Sequence, residues 1–326
     1  MQQPGKCMKA TWGTTMKRNE TMRWAVKKHL FAVLFGLLLL IPSAGWATTY
    51  SISVDNVSGT EDTVGTMTFT LTINPAVKAG DQVTVDYATA DGTATSGKDY
   101  QGISTSTLTF APGDTSKTVD VTVLPDTAVE GDETFTLQLS NPQVTPSADN
   151  SVNLVTSSGT GTITNDDAAT LSVSSNGRVA ENAGVSSFTV SSGGVVIESS
   201  AAVTVSYTTS SETGDTATAG SDYRATTTGS IAFVGTTASI DVPLVNDTNV
   251  EGDETFTLTL TGSSSADVTA SASARGTIAD DNDTATLSIA SDGAQAENAG
   301  PSTFTLTSSA TVEPSANLTV SYRAAS

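Results

Sequence analysis

Carboxylates are the one chemically versatile side chain that this sequence supplies in quantity, and they recur at fixed places. The segment Val129-Glu-Gly-Asp-Glu-Thr-Phe-Thr-Leu137 returns letter for letter from Val250 to Leu258, 121 positions later. Asp126 stands four residues before Glu130 and seven before Glu133, and Asp247 repeats both spacings with Glu251 and Glu254. Glu61, Asp99, Asp166 and Asp167 accompany the first turn; Glu181, Asp222, Asp280, Asp281 and Asp283 accompany the second. Carboxylates gathered at one point repel one another unless a cation lies among them. A calcium ion takes about six to eight hard oxygen ligands, a number that such a gathering can supply. Paired carboxylates also serve as acid and base in glycoside hydrolysis. Against that use, these acids recur in every copy, whereas a catalytic pair is wanted once.

Other chemistries lack their residues. The only His (His29), the only Cys (Cys7) and all three Trp (Trp12, Trp24, Trp46) fall within the first 47 residues. The remainder therefore has no Ser-His-Asp triad, thiol nucleophile, ordinary zinc site or disulfide, and no Trp platform for a sugar. The first 47 residues have the layout of a secretory signal peptide. Basic Arg23, Lys27 and Lys28 precede the apolar run Leu30 to Ile41, followed by Pro42, Ser43 and the small-residue site Gly45-Trp46-Ala47. That run of 12 residues is short of the roughly 18 needed to span a bilayer. An uncleaved anchor is the competing reading, and a start at Met22 gives a more ordinary leader length. The mature chain is expected from Thr48 onward, secreted or at the cell surface, with no membrane span. It carries 33 acids against 7 bases, a formal charge of −26. Such a chain repels nucleic acid and attracts cations.

The elements that position these acids follow from a two-residue alternation of apolar side chains, the period of a half-buried strand. Met67, Phe69, Leu71 and Ile73 alternate with threonines, and similar ladders run through Val83/Val85/Tyr87, Val119/Val121/Val123 and Phe135/Leu137/Leu139. The second copy repeats them at Phe188/Val190, Val203/Val205/Tyr207, Ile240/Val242/Leu244 and Phe256/Leu258/Leu260. Six or seven short strands per copy, parted by turns such as Asp91-Gly92 and Pro112-Gly113-Asp114, predict an all-β chain of tandem antiparallel, immunoglobulin-like β-sandwiches. No helix is expected after the leader, and the Ser/Ala-rich stretch 262–274 reads as a long loop. The repeat offsets of 116 to 121 residues are of domain length rather than solenoid length. Module boundaries are placed at 48–167 and 168–283, after a signal peptide at 1–47. A third copy begins at 284–326 and holds about half the strands of a sandwich.

The turn Asp126 to Glu133, with Asp99-Tyr100, Phe110-Ala-Pro-Gly-Asp114 and the terminal Asp166-Asp167, resembles the Calx-β family over about residues 49–283. That family is named for the regulatory calcium-binding modules of sodium/calcium exchangers and also occurs in extracellular adhesion and matrix proteins. Carried over by position, the resemblance implies calcium ligands at Glu61, Asp99, Asp126, Glu130, Glu133, Asp166 and Asp167, with the Ala128 carbonyl. In the second copy it implies Glu181, Asp222, Asp247, Glu251, Glu254, Asp280 and Asp281, with the Asn249 carbonyl. Asp132 and Asp253 are expected to point outward. Pro125 and Asn246 stand where the richest sites of the family carry a further Asp, which implies fewer ions or weaker binding. An ion held at Asp166-Asp167 or Asp280-Asp281 would lie beside the first strand of the next copy and stiffen the junction. The expected partners are calcium ions, neighbouring modules and a cell-surface or matrix partner. The rival reading is a metal-free spacer, in which acidic loops serve solubility and guard sheet edges.

Overall fold

The computed structural model describes residues 47–146, 148–281 and 283–324. The leader, all but its last residue, lies outside them. Alternation is realised as read: along β3 (Thr66–Asn74), Met67, Phe69, Leu71 and Ile73 are buried while the threonines between them face outward.

The first module also contains β1 (Thr49–Val54), β2 (Val57–Thr60), β4 (Gln82–Asp91), β5 (Ser106–Phe110), β6 (Ser116–Thr122), β7 (Glu133–Thr145), β8 (Ser151–Leu154) and β9 (Ser158–Thr164). These form one sheet of order β6-β3-β1-β8 and a second of order β2-β9-β7-β4-β5. The second module repeats the plan with β10 (Ala169–Ser175), β11 (Arg178–Ala180), β12 (Val185–Ser191), β13 (Thr204–Ser210), β14 (Gly229–Ala232), β15 (Thr237–Pro243), β16 (Glu254–Ser263), β17 (Val268–Ala270) and β18 (Ser273–Ala279). Its sheets run β15-β12-β10-β17 and β11-β18-β16-β13-β14.

Pairing is antiparallel except where the opening strand of each module divides between the two sheets. There β1/β8 and β2/β9, and likewise β10/β17 and β11/β18, run parallel. The division, together with β8 and β17, brings the count among the described residues to nine strands per module, above the six or seven expected. The stretch 262–274 is no long loop: β17 lies within it, with Val268 and Ala270 buried and paired to β10. Small side chains let this strand fit the sheet edge, which makes its apolar signal faint. A single helical turn at Glu61–Val64 and a 3-10 turn at Glu181–Ala183 also depart from the helix-free expectation. Both are too short to carry a helical period.

Each sandwich has its own core. In the first, Phe135 stacks on Tyr100 at 4.3 Å and meets Phe69 edge-on at 5.9 Å. In the second, Phe256 stacks on Tyr223 at 4.5 Å and meets Phe188 at 5.7 Å. Each such contact is worth about 0.5–1.5 kcal/mol beyond area burial. The Tyr therefore anchors the acid that precedes it in sequence, Asp99 or Asp222, at one end of the sandwich. Among the described residues of the third copy, β19 (Leu287–Ser291) and β20 (Phe304–Ser308) form a two-stranded hairpin with Ile289, Phe304 and Leu306 exposed.

Candidate metal centre

Three segments bring the acids to one end of each module. The first is the turn after β2 or β11: Glu61 and Glu181 open it and are only 3% and 2% exposed. The second is the tight turn Thr95 to Asp99, repeated from Thr218 to Asp222. Gly97 and Gly220 take φ of 87° and 94° there, a region that glycine enters without steric cost. Asp99 Oδ2 accepts from the Thr95 N–H at 2.6 Å, and Asp222 Oδ2 accepts from the Thr218 N–H. The third is the acidic turn before β7 or β16. Asp126 accepts from the Ala128 N–H and Asp247 from the Asn249 N–H, both at 2.7 Å, which folds each loop back on its own acid.

Carboxylate oxygens of Glu61, Asp126 and Asp167 lie within 4.8 Å of one another, as do those of Asp99, Glu130 and Glu133. In the second module Asp222, Glu251 and Glu254 gather within the same limit. Glu181 accepts from the Asp247 N–H at 2.6 Å and feels the charges of Asp247, Asp281 and Asp283. Asp166 lies on the rim, where its Oδ1 accepts from the Asp62 N–H at 3.4 Å. Asp132 and Asp253 face solvent, and Asp253 pairs with Arg178.

The electrostatic cost of this crowding is visible in the acids themselves. Burial, then Asp126 and Glu130, push Glu61 up to about 7. Burial and the neighbouring Asp99 push Glu133 to about 7, and burial with Asp222 pushes Glu254 to about 8. Glu251 rises to about 7 through burial and the charges of Asp222 and Glu181. Among the described residues of the two tips, the buried carboxylate oxygens Glu133 Oε2, Asp167 Oδ2, Glu181 Oε2 and Asp283 Oδ2 have no hydrogen-bond partner. Buried polar atoms are ordinarily paired. Orphaned hard oxygens in acidic groups fit a divalent cation such as calcium, so the residues present suit the ion.

Position-by-position carry-over missed several participants. Asn165 Oδ1 accepts from the Glu130 N–H, and Asp280 Oδ1 from the Glu251 N–H. Asp280 is thus the counterpart of Asn165, and Asp283 joins Asp281 in facing Glu181. The offset of one residue was visible by counting from Ile163 and Ile278. Lys98 was also missed: its Nζ lies 3.1 Å from Asp99 and 2.7 Å from Glu130. Burial works against its charge, but these hydrogen bonds outweigh it and raise the ammonium above its usual range.

Paired β-sandwiches with carboxylates converging at one end of each define a class of tandem modules with cation-suited tips. The Calx-beta domain model matches residues 47–168 and 164–282, and the chain belongs to that family. Sodium/calcium exchanger 1 of Canis lupus familiaris is 42% identical over 66 residues, 20% of this chain and 7% of the exchanger. Sodium/calcium exchanger 2 of Rattus norvegicus is 43% identical over 60 residues, 18% of this chain and 6% of that protein. The chain thus spans under a tenth of the length of these relatives. Among solved structures, CBD12 from CALX1.2 is 24% identical over 65% of this chain and 80% of its own, with a TM-score of 0.33. The apo-form Calx CBD1 domain is 26% identical over 36% of this chain and 98% of its own, with a TM-score of 0.31. No helix among the described residues is long and apolar enough to cross a membrane.

Proposed function

We propose that this chain is a calcium-binding array of Calx-β modules in a secreted or cell-surface protein, with a structural or adhesive role. The observation that carries the reading is the recurrence, in both modules, of buried carboxylate oxygens without donors at the same end of the sandwich. In the first module Glu61, Asp126, Asp166 and Asp167 form one half of the site, and Asp99, Glu130 and Glu133 the other. In the second, Glu181, Asp247, Asp281 and Asp283 form one half, and Asp222, Glu251, Glu254 and Asp280 the other. Calcium supplies compensating charge and ties together turns that are distant in sequence. Magnesium suits the site less well, because it dehydrates reluctantly and prefers few protein ligands. The leader at 1–47 supports export, and the modules are taken as 48–167 and 168–283.

Binding only to the folded state raises stability by RT ln(1 + [L]/Kd), about 2.7 kcal/mol at a hundredfold excess over Kd. For a module of this size that is a rise in Tm of about 10 °C. Differential scanning calorimetry in chelator and in millimolar calcium measures it. Unchanged transitions in both media would leave the metal-free spacer standing. One observation favours the spacer locally: Lys98 already neutralises part of the first site.

A further inference from the structure

The acidic turn of each module does more than gather carboxylates, because it is also the surface that docks on the next module. Val129 donates its N–H to the Val196 carbonyl at 2.8 Å and accepts from the Glu198 N–H at 2.9 Å. Its side chain is fully buried among the core residues of the second module. Val250 makes the same pair with Thr311 and Glu313, at 2.9 and 3.0 Å. A Cβ on Gly131 would meet the Ser200 carbonyl oxygen at 2.5 Å, and one on Gly252 would meet that of Ser315 at 2.2 Å. Ser200 and Ser315 also accept from the N–H of Gly131 and Gly252 through their hydroxyls. The two junctions are therefore one design used twice.

This design delivers an extra carboxylate across each junction. Glu198 of the second module reaches the first module's site, with Oε1 3.3 Å from Lys98 Nζ. Glu313 of the third copy occupies the same place at the second junction, where its charge acts on Glu251. At the equivalent point the first module carries Lys78. What differs between the junctions is the cation. Lys98 holds Asp99, Glu130 and Glu198 together at the first junction, while the aligned residue at the second is Ser221. Asp222, Glu251 and Glu254 therefore gather, with Glu313 beside Val250 and its charge felt at Glu251, where position 221 supplies a serine in place of the lysine. Glu181, which acts on Glu251, keeps a buried oxygen with no donor.

Resting on the calcium reading, we propose that the two junctions are closed by different cations. The ammonium of Lys98 is a tethered, permanent cation at the first. A divalent ion fills its place at the second, with Glu313 of the following module as a ligand beside Asp222, Glu251 and Glu254. The first junction then stays closed in chelator, and the second closes only when the ion is bound.

The test uses the full chain in three versions: wild type, Lys98→Ser and Ser221→Lys. Beyond residue 47 the chain contains no Cys, so paired spin labels on introduced cysteines report distances across each junction after Cys7 is replaced. Calorimetric titration with calcium counts the ions. Wild type is expected to give a narrow distance distribution at the first junction with or without chelator. At the second it should be broad in chelator and narrow in calcium. Lys98→Ser should make the first junction calcium-dependent and add one bound ion; Ser221→Lys should free the second from calcium and remove one. Glu313→Gln should weaken the second site about tenfold, as expected when a charged ligand is lost. If wild type binds calcium but Lys98→Ser changes neither the first junction in chelator nor the ion count, this inference fails alone. If no version binds calcium, the calcium reading fails and takes the second-junction ion with it.

Discussion

The two module tips start from the same turn, the same anchoring tyrosine and the same buried glutamate, yet they handle their charge differently. The first contains seven proposed acidic ligands and places Lys98 among them, with the neutral Asn165 under Glu130. The second contains eight, has Ser221 in place of the lysine, and puts Asp280 under Glu251. Identical turns thus produce one tip that is partly self-neutralised by Lys98 and one whose acids have a serine at that position. Repeated modules need not share a ligand requirement merely because they share a motif.

The largest effect expected from this difference is thermal. In chelator the second module should melt well below the first, and saturating calcium should raise its transition by about 10 °C or more and the first by less. Calorimetry of the full chain resolves the two transitions. Equal shifts in both would erase the contrast.

A second effect is the pH dependence without calcium. Glu251 and Glu254 titrate near 7 and 8 in the folded second module, above the roughly 4.3 of an unfolded glutamate. Folded-state pKa values raised in this way mean that the native state binds protons more tightly. Stability is highest below about pH 4.3 as far as these groups are concerned, and falls as pH rises through 7 to 8. The first module shares the trend through Glu61 and Glu133, both near 7. Melting curves in chelator between pH 5 and 8 should therefore slope downward, more steeply for the second module, and calcium should flatten them. An upward slope would refute the crowding described for both tips.

How much of this was legible in the sequence depends on distance along the chain. The strand ladders, the repeat, the acidic turn and Glu61 and Glu181 were all readable, because alternation and identical words are local signals. The parallel pairs of β1 with β8 and β2 with β9 were not, since they join residues about 100 positions apart. Gly131 sits within the acidic turn, where a glycine ordinarily serves to ease a tight backbone path. Its φ lies outside the left-handed region, and it is glycine because the neighbouring backbone passes where a Cβ would be. Lys98 carried no signal at all, for a lone lysine beside an aspartate is ordinary until the fold brings Glu130 and Glu198 to it. Val129 was read as part of a turn, though it belongs to the next module's core.

A smaller effect separates docking from folding. Gly131→Ala and Gly252→Ala should loosen the first and second junctions respectively, seen as a larger radius of gyration in small-angle scattering, with each module's Tm moved by no more than about 2 °C. A large fall in Tm would mean that the junction is part of the module's own stability. The smallest expected effect is a few-fold change in calcium affinity, tighter in Asn165→Asp and weaker in Asp280→Asn, measured by titration. Opposite signs for the two substitutions sharpen the contrast between the tips, and a shared sign removes it.

The most direct test of the central claim is a calcium titration of the chelator-stripped full chain by isothermal calorimetry, beside the Glu181→Gln/Glu254→Gln variant. Saturable binding that the variant loses in its second module is the predicted result. No binding up to millimolar calcium, in a chain whose far-ultraviolet circular dichroism shows folded β-structure, would contradict it.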